Sequence, residues 1–128
     1  MAEMDVAAQI TYWRDGALED WVVAWELINN NRVRHGLFFG HLAVEKILKA
    51  HVTKATQDFP PRIHNLLRLC DLAKIEVSPD TRDILQMVNE YNIEGRYAEE
   101  LESPLTVVEA KAELNQAKEV FEWLTQKL

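Results

Sequence analysis

Turn-forming residues are scarce in this chain, with only four glycines and four prolines among 128 residues. Few tight turns are therefore available, which argues against a fold of many short strands and favours a small number of long elements. No strand-like alternation runs long enough to compete with that reading, and no internal repeat or low-complexity segment stands out. The single cysteine, Cys70, excludes an internal disulfide. No apolar run approaches the roughly 20 residues that a membrane-crossing helix needs, so no membrane contact is expected. The opening "MAEMDVAAQITYWRDG" has no basic stretch followed by an apolar one, so it does not read as a signal peptide. These absences point to a cytoplasmic protein.

What is present fits one folded domain over residues 1–128. Hydrophobic residues make up 48% of the chain, enough for one core and too many for a disordered polymer. The formal charge is −7, which by itself argues against non-specific nucleic-acid binding. The distribution of that charge says something different. Arg32, Arg34, Lys46, Lys49, Lys54, Arg62 and Arg68 share their segment with only two acids, Glu45 and Asp58, and all four histidines fall there too. The segment carries +5 and the remainder −12, by count from the sequence. Such an asymmetry is met either by pairing within the fold or by a partner.

Helical periodicity organises the chain. From about Asp5 to Asn30, Ile10, Trp13, Ala17, Trp21, Ala24 and Ile28 recur in steps of three and four, the stripe of an amphipathic helix. The run Asn29 to Asn31 ends it, because asparagine favours turns and left-handed caps. A second helix is expected from about Gly36 to Ala55, apolar over so much of its surface that it belongs at the centre of the domain. "TQDFPPR" then reads as a loop, since its prolines disfavour helix in the residues before them. Ile63 to Lys74 reads as a shorter helix. "SPDTRDILQMVNEY" reads as a fourth, with Ser78 as N-cap and Pro79 first in the helix. Gly95 is expected to end it, with Arg96 favourably placed against the helix C-terminus and Tyr97 beside it. A last helix opens where Thr106 and Glu109 have capping-box spacing and continues to the C-terminus. The expected fold is all-α, an up-and-down bundle of four to five helices with antiparallel neighbours.

Several stretches of this chain resemble the HEPN domain family. "HGLFFGHLAVEKILKAHV" resembles the family's second helix, through His41, Ala43, Glu45, Lys46, Leu48, Lys49 and Ala50. "IHNLLRLCDLA" resembles its His-(Asp/Asn)-Leu helix, through His64, Asn65 and Leu66, and "YNIEGRYAEE" resembles its Arg-Tyr turn. The first and last helices fit in place and length, so the resemblance covers almost the whole chain. Ala98 stands where the family usually has proline, and His41 where it often has glutamine. The resemblance implies a helical bundle that commonly forms a homodimer. It implies a gene often set beside a minimal nucleotidyltransferase, in a toxin–antitoxin-like pair. It implies either RNA cleavage or, in members without the nuclease residues, binding of nucleotides, RNA or protein.

The nuclease branch of the family is marked by an arginine and a histidine separated by four to six residues. Histidine can move the proton of an attacking ribose hydroxyl, and arginine can stabilise the charge that grows on the phosphate. Reading on from Arg96 gives "YAEELESPL", which holds no histidine, so the late motif is absent. Arg34 and His41 alone satisfy the spacing, and they share a helix face if the second helix begins early enough. Ligand contact is expected instead from Glu45, Lys46, Lys49, His64, Arg96 and Tyr97. Glu45 and Lys49 are four apart, in the favourable order for a helix ion pair, and the apolar face around them predicts that the pair is partly buried. His41 and Glu45 lie one turn apart, but only His64 offers a third ligand, so neither a metal site nor a cofactor is expected. Cys70 reads as a small core residue, and Trp13, Trp21 and Trp25 as core or dimer contacts. Three functions remain in play: a partner subunit of a minimal nucleotidyltransferase that contacts nucleotide or RNA, a non-catalytic assembly module, and a metal-independent RNase using Arg34 and His41.

Overall fold

The computed structural model describes residues 4–93 and 105–128. Five helices account for the order of the described chain: α1 (Val6–Asn29), α2 (Val33–Thr56), α3 (Leu66–Leu72), α4 (Pro79–Asn89) and α5 (Val107–Gln126). No strand occurs among the described residues. No helix among them is long and apolar enough to cross a membrane.

The helix starts follow local chemistry. The Asp5 carboxylate accepts from the Ala8 amide at 3.0 Å, and the Ser78 hydroxyl accepts from Thr81 with Pro79 at the first helical position. Thr106 and Glu109 form the reciprocal capping box that their spacing predicts, each bond 3.1 Å long. Three helices differ in extent from the sequence reading. α2 begins at Val33, three residues before Gly36, and its N-cap, Arg32, makes no side-chain cap bond that a sequence could advertise. α3 is shorter than Ile63 to Lys74, because Asn65 takes the N-cap and accepts from the amides of Leu67 and Arg68. α4 ends at Asn89 with Glu90 as its C-cap, ahead of Gly95, which lies outside the described residues.

α2 is the central element. It buries residues on most of its circumference, from Gly36 through Thr53, and it touches each of the other four helices. α1 runs antiparallel to it. An added Cβ on Gly36 would meet Ile28, while Asp20 pairs with Lys46 and Trp13 lies under Lys49, so residues late in one helix meet residues early in the other. α5 runs parallel to α2: Gly40 faces Leu114, His51 meets Leu124, and Lys54 meets Lys127. Trp21 stacks on Phe121 of α5 with ring centres 4.7 Å apart and is met edge-on by Trp25, so these tryptophans close the core between α1 and α5. Cys70 is buried in the same core.

Candidate functional site

One polar seam interrupts the apolar surface of α2. His41, Glu45 and Lys49 occupy successive turns, at i, i+4 and i+8, and all three are buried. The Lys49 ammonium lies 3.1 Å from one Glu45 oxygen and 5.4 Å from the centre of the Trp13 ring on α1. The Glu45 oxygen facing away from Lys49 lies 2.9 Å from Nδ1 of His64, in the connection between α2 and α3. The backbone carbonyl of His64 in turn accepts from Nε2 of His41 at 3.1 Å. A carbonyl and a carboxylate can only accept, so His41 carries its proton on Nε2 and His64 carries one on Nδ1.

The two histidines are therefore different in kind. His41 is 1% exposed. Its ring pins the α2–α3 connection to α2, and in this arrangement it has no open path to a ribose hydroxyl. The His64 side chain keeps 49% of its surface exposed while the buried Glu45 fixes its orientation. In the neutral ring, Nε2 is then the basic nitrogen. A carboxylate that holds a half-exposed imidazole fixes its orientation and tautomer, which prepares it to meet a ligand or move a proton.

The remaining sequence expectations are distributed more widely. Arg34 lies half-buried in the first turn of α2, two turns before His41, so the early start of the helix does place both on one side of it. Lys46 points away from the seam, toward Asp20 of α1 at 2.7 Å. That contact is an ion pair without hydrogen-bond alignment, since the same Asp20 oxygen is buried and lacks a directed donor. Arg96 and Tyr97 lie outside the described residues. The structure thus unites His41, Glu45, Lys49 and His64, and sets Lys46 apart. Among the described residues, no group of three or more His, Cys, Asp or Glu side chains is placed to hold a metal ion.

The basic segment looks different in three dimensions from its count in one. The charges of Lys46 and Lys49 are spent on Asp20 and Glu45. Arg32, Lys54, Arg62 and Arg68 are exposed. Arg62 and Arg68 flank His64, and no acid lies between Asp58 and Asp71. These two arginines were legible only as part of a charge total. Nothing in their spacing distinguished them from Lys46 and Lys49 until the acids that neutralise the lysines were located.

Three buried groups elsewhere have displaced ionisation. Burial lowers the His51 pKa from its ordinary value, against the opposing pull of its bond to the Leu124 carbonyl and with help from Lys54 and Lys127. Burial also pushes the Cys70 thiol up to about 11, with Asp71 adding to the effect. Tyr91 is raised by burial and by its 2.6 Å bond to Glu113. None of the three belongs to the seam.

The family model for the HEPN domain matches residues 10–128 of this chain. No curated protein and no solved structure matches it.

Proposed function

The chain belongs to the HEPN domain family, and on that premise we propose that it is a partner subunit of a minimal nucleotidyltransferase, in a toxin–antitoxin-like pair, that contacts nucleotide or RNA phosphates through Arg62, His64 and Arg68. The observation that carries the reading is the 2.9 Å bond from His64 to the buried Glu45. An exposed histidine held by a buried carboxylate, with an exposed arginine on either side of it in sequence, suits a phosphate: arginine offers paired N–H donors, and the imidazole beside them is fixed in orientation. Lys49 and Trp13 support this from behind, by holding the other edge of Glu45. The Glu45 and Lys49 positions thus act on the ligand through His64, and Lys46 does not take part.

Binding of a labelled RNA and of ATP to the purified protein, measured across salt concentrations, tests the proposal. Removing two phosphate contacts with Arg62→Ala/Arg68→Ala lowers the steepness of the salt dependence by about 2 for duplex and somewhat less for a single strand. His64→Ala weakens binding at every salt concentration. An unchanged slope in the double variant sinks the phosphate site and leaves assembly as the function. Co-purification with a co-expressed minimal nucleotidyltransferase tests the partnership separately. RNA cleavage by wild type that disappears in both Arg34→Ala and His41→Ala would instead establish the RNase reading.

A further inference from the structure

The outer face of α1 takes no part in the seam or in the basic connection, and it has a distinct composition. Tyr12, Asp15, Leu18, Glu19, Val22 and Glu26 are all exposed. At 100° per residue they fall within an arc of about 120°. Three are large or branched apolar side chains, with Tyr12 66% and Val22 56% exposed, and three are acids. The arc contains no base. Arg14, the one basic residue of α1, sits beside it and reaches Asp15 at 3.3 Å. Glu19 and Glu26 have no ion-pair partner among the described residues.

At one end of this face is a cleft of about 380 Å³, lined by Tyr12, Trp13, Asp15, Gly16, Glu19 and Lys46. Tyr12 and Trp13 meet edge to face at 5.2 Å and form its aromatic wall. Lys46 lines the cleft beside Gly16, where an added Cβ would stand 3.4 Å from the lysine Cδ, in ordinary contact. Its charge is nevertheless drawn to Asp20 at 2.7 Å and that of Asp15 is shared with Arg14, which leaves Glu19, unpaired among the described residues, to set the sign of the opening. Carboxylates beside aromatic rings attract a cation, by charge and through the ring faces.

We infer that this face docks a basic amphipathic segment of another protein chain, with one lysine or arginine side chain entering the cleft between Tyr12, Asp15 and Glu19. Leu18 and Val22 extend the apolar contact beyond the cleft, which a free small cation would leave uncovered. Charge complementarity also argues against a second copy of this chain on the same face. A two-fold contact would set this acidic face against a copy of itself, with no base in the arc to pair Glu19 or Glu26, and like charges set face to face oppose association. The inference does not rest on the phosphate-binding proposal: Trp13 lies behind both sites, but Tyr12, Asp15 and Glu19 have no part in the phosphate site and Arg62, His64 and Arg68 none in the cleft.

A synthetic amphipathic helical peptide of leucine and lysine, titrated into the full chain at physiological ionic strength, serves as the probe. The expected result is saturable binding that shifts the Trp13 indole signal in NMR spectra. Asp15→Asn/Glu19→Gln weakens it about fivefold, the worth of two partly solvated ion pairs. Asp71→Asn/Glu76→Gln removes the same net charge from an exposed region away from α1, and leaves binding unchanged. Tyr12→Ala weakens binding about threefold by removing the ring. Equal weakening by the two acid pairs overturns the inference, because attraction would then follow net charge alone. Undiminished binding of a peptide with serine in place of leucine overturns it for the same reason. Loss of self-association in Asp15→Asn/Glu19→Gln, read by sedimentation, also overturns it and assigns the face to a second copy.

Discussion

The imidazole of His51 on α2 donates through Nε2 to the carbonyl of Leu124 on α5, at 2.7 Å. α5 has no basic residue in its last turn, and the last four carbonyls of a helix have no partner within it. α2 supplies what α5 lacks. His51 takes the Leu124 carbonyl and the Lys54 ammonium takes that of Lys127 at 3.2 Å. A parallel neighbour thereby caps the end of the last helix.

The burial of this histidine sets a pH dependence. Burial holds the folded-state pKa of His51 below its ordinary value of 6.5, so the folded chain binds fewer protons than the unfolded one in that window. The contribution of His51 to stability is therefore complete above the unfolded value, and is lost as pH falls below it toward the folded value. Urea unfolding of wild type at pH 7.5 and at pH 5.5 is expected to show lower stability in acid. His51→Gln keeps a donor for Leu124 and does not titrate, so its loss between the two pH values is smaller. An equal loss in both proteins assigns the acid sensitivity to other groups.

The Glu45–Lys49 pair is buried at 6% and 8% side-chain exposure. Breaking one side of such a pair leaves a buried charge, so Lys49→Met is expected to cost about 3 kcal/mol. Glu45→Gln/Lys49→Met is expected to cost less than the sum of the two single changes, in a double-mutant cycle measured by denaturant unfolding. A strictly additive result shows that the two charges do not stabilise each other.

Two glycines of the first two helices should respond oppositely to the same substitution. At Gly36 a new Cβ would lie 2.5 Å from the Ile28 side chain and 2.9 Å from the Ala24 carbonyl oxygen. Gly36→Ala must push α1 and α2 apart, which costs about 1–3 kcal/mol and outweighs any gain in helix propensity. At Gly16 the nearest atom is the flexible Lys46 chain at 3.4 Å. Gly16→Ala is expected to stabilise the protein by about 0.5–1 kcal/mol, since it relieves the ordinary cost of glycine in a helix. Thermal melts of the two variants give the comparison directly.

Cys70 is buried, with its thiol pKa raised to about 11. At pH 8 it holds almost no thiolate in the folded state, and thiolate is the reactive form. Alkylation by iodoacetamide is expected only as fast as the domain opens, and promptly in denaturant. Rapid labelling of the native protein would show that the α3 region opens far more readily than the rest of the core.

The sequence made legible what is local. Ser78 with Pro79, and Thr106 with Glu109, announce their helices within four residues, and both are found in place. The Glu45–Lys49 pair was readable for the same reason, as was its burial, because the face around it is apolar. The Asn29–Asn31 run marked the end of α1, and Asn31 does adopt the left-handed conformation, with φ 62°. The start of α2 was not readable, because Arg32 offers no capping side chain. Of the candidate site, the sequence named His41, Glu45, Lys49 and His64, counted Arg62 and Arg68 only in a charge total, and beyond the Glu45–Lys49 pair said nothing of the wiring among them. His64 and Glu45 are 19 positions apart, and no periodicity specifies a contact across a loop. The same limit hid the pairing of Lys46 with Asp20, and so counted a neutralised lysine among the ligand-binding cations.

The tight link between α1 and α2 also bears on how the domain forms. Only Asn30, Asn31 and Arg32 separate two helices that each run for 24 residues, and their close approach at Gly36 lies within a turn of that corner. Closing so short a connection sacrifices little chain entropy, whereas every contact of α5 with α2 must first enclose a long loop. Contacts near in sequence are therefore made early, and the antiparallel α1–α2 hairpin is where the folding transition state is expected to be most structured. The polar seam on α2 would then stay open to water until α3 and its connection arrive, and His41 and Glu45 would lose their hydration only when that connection docks over them.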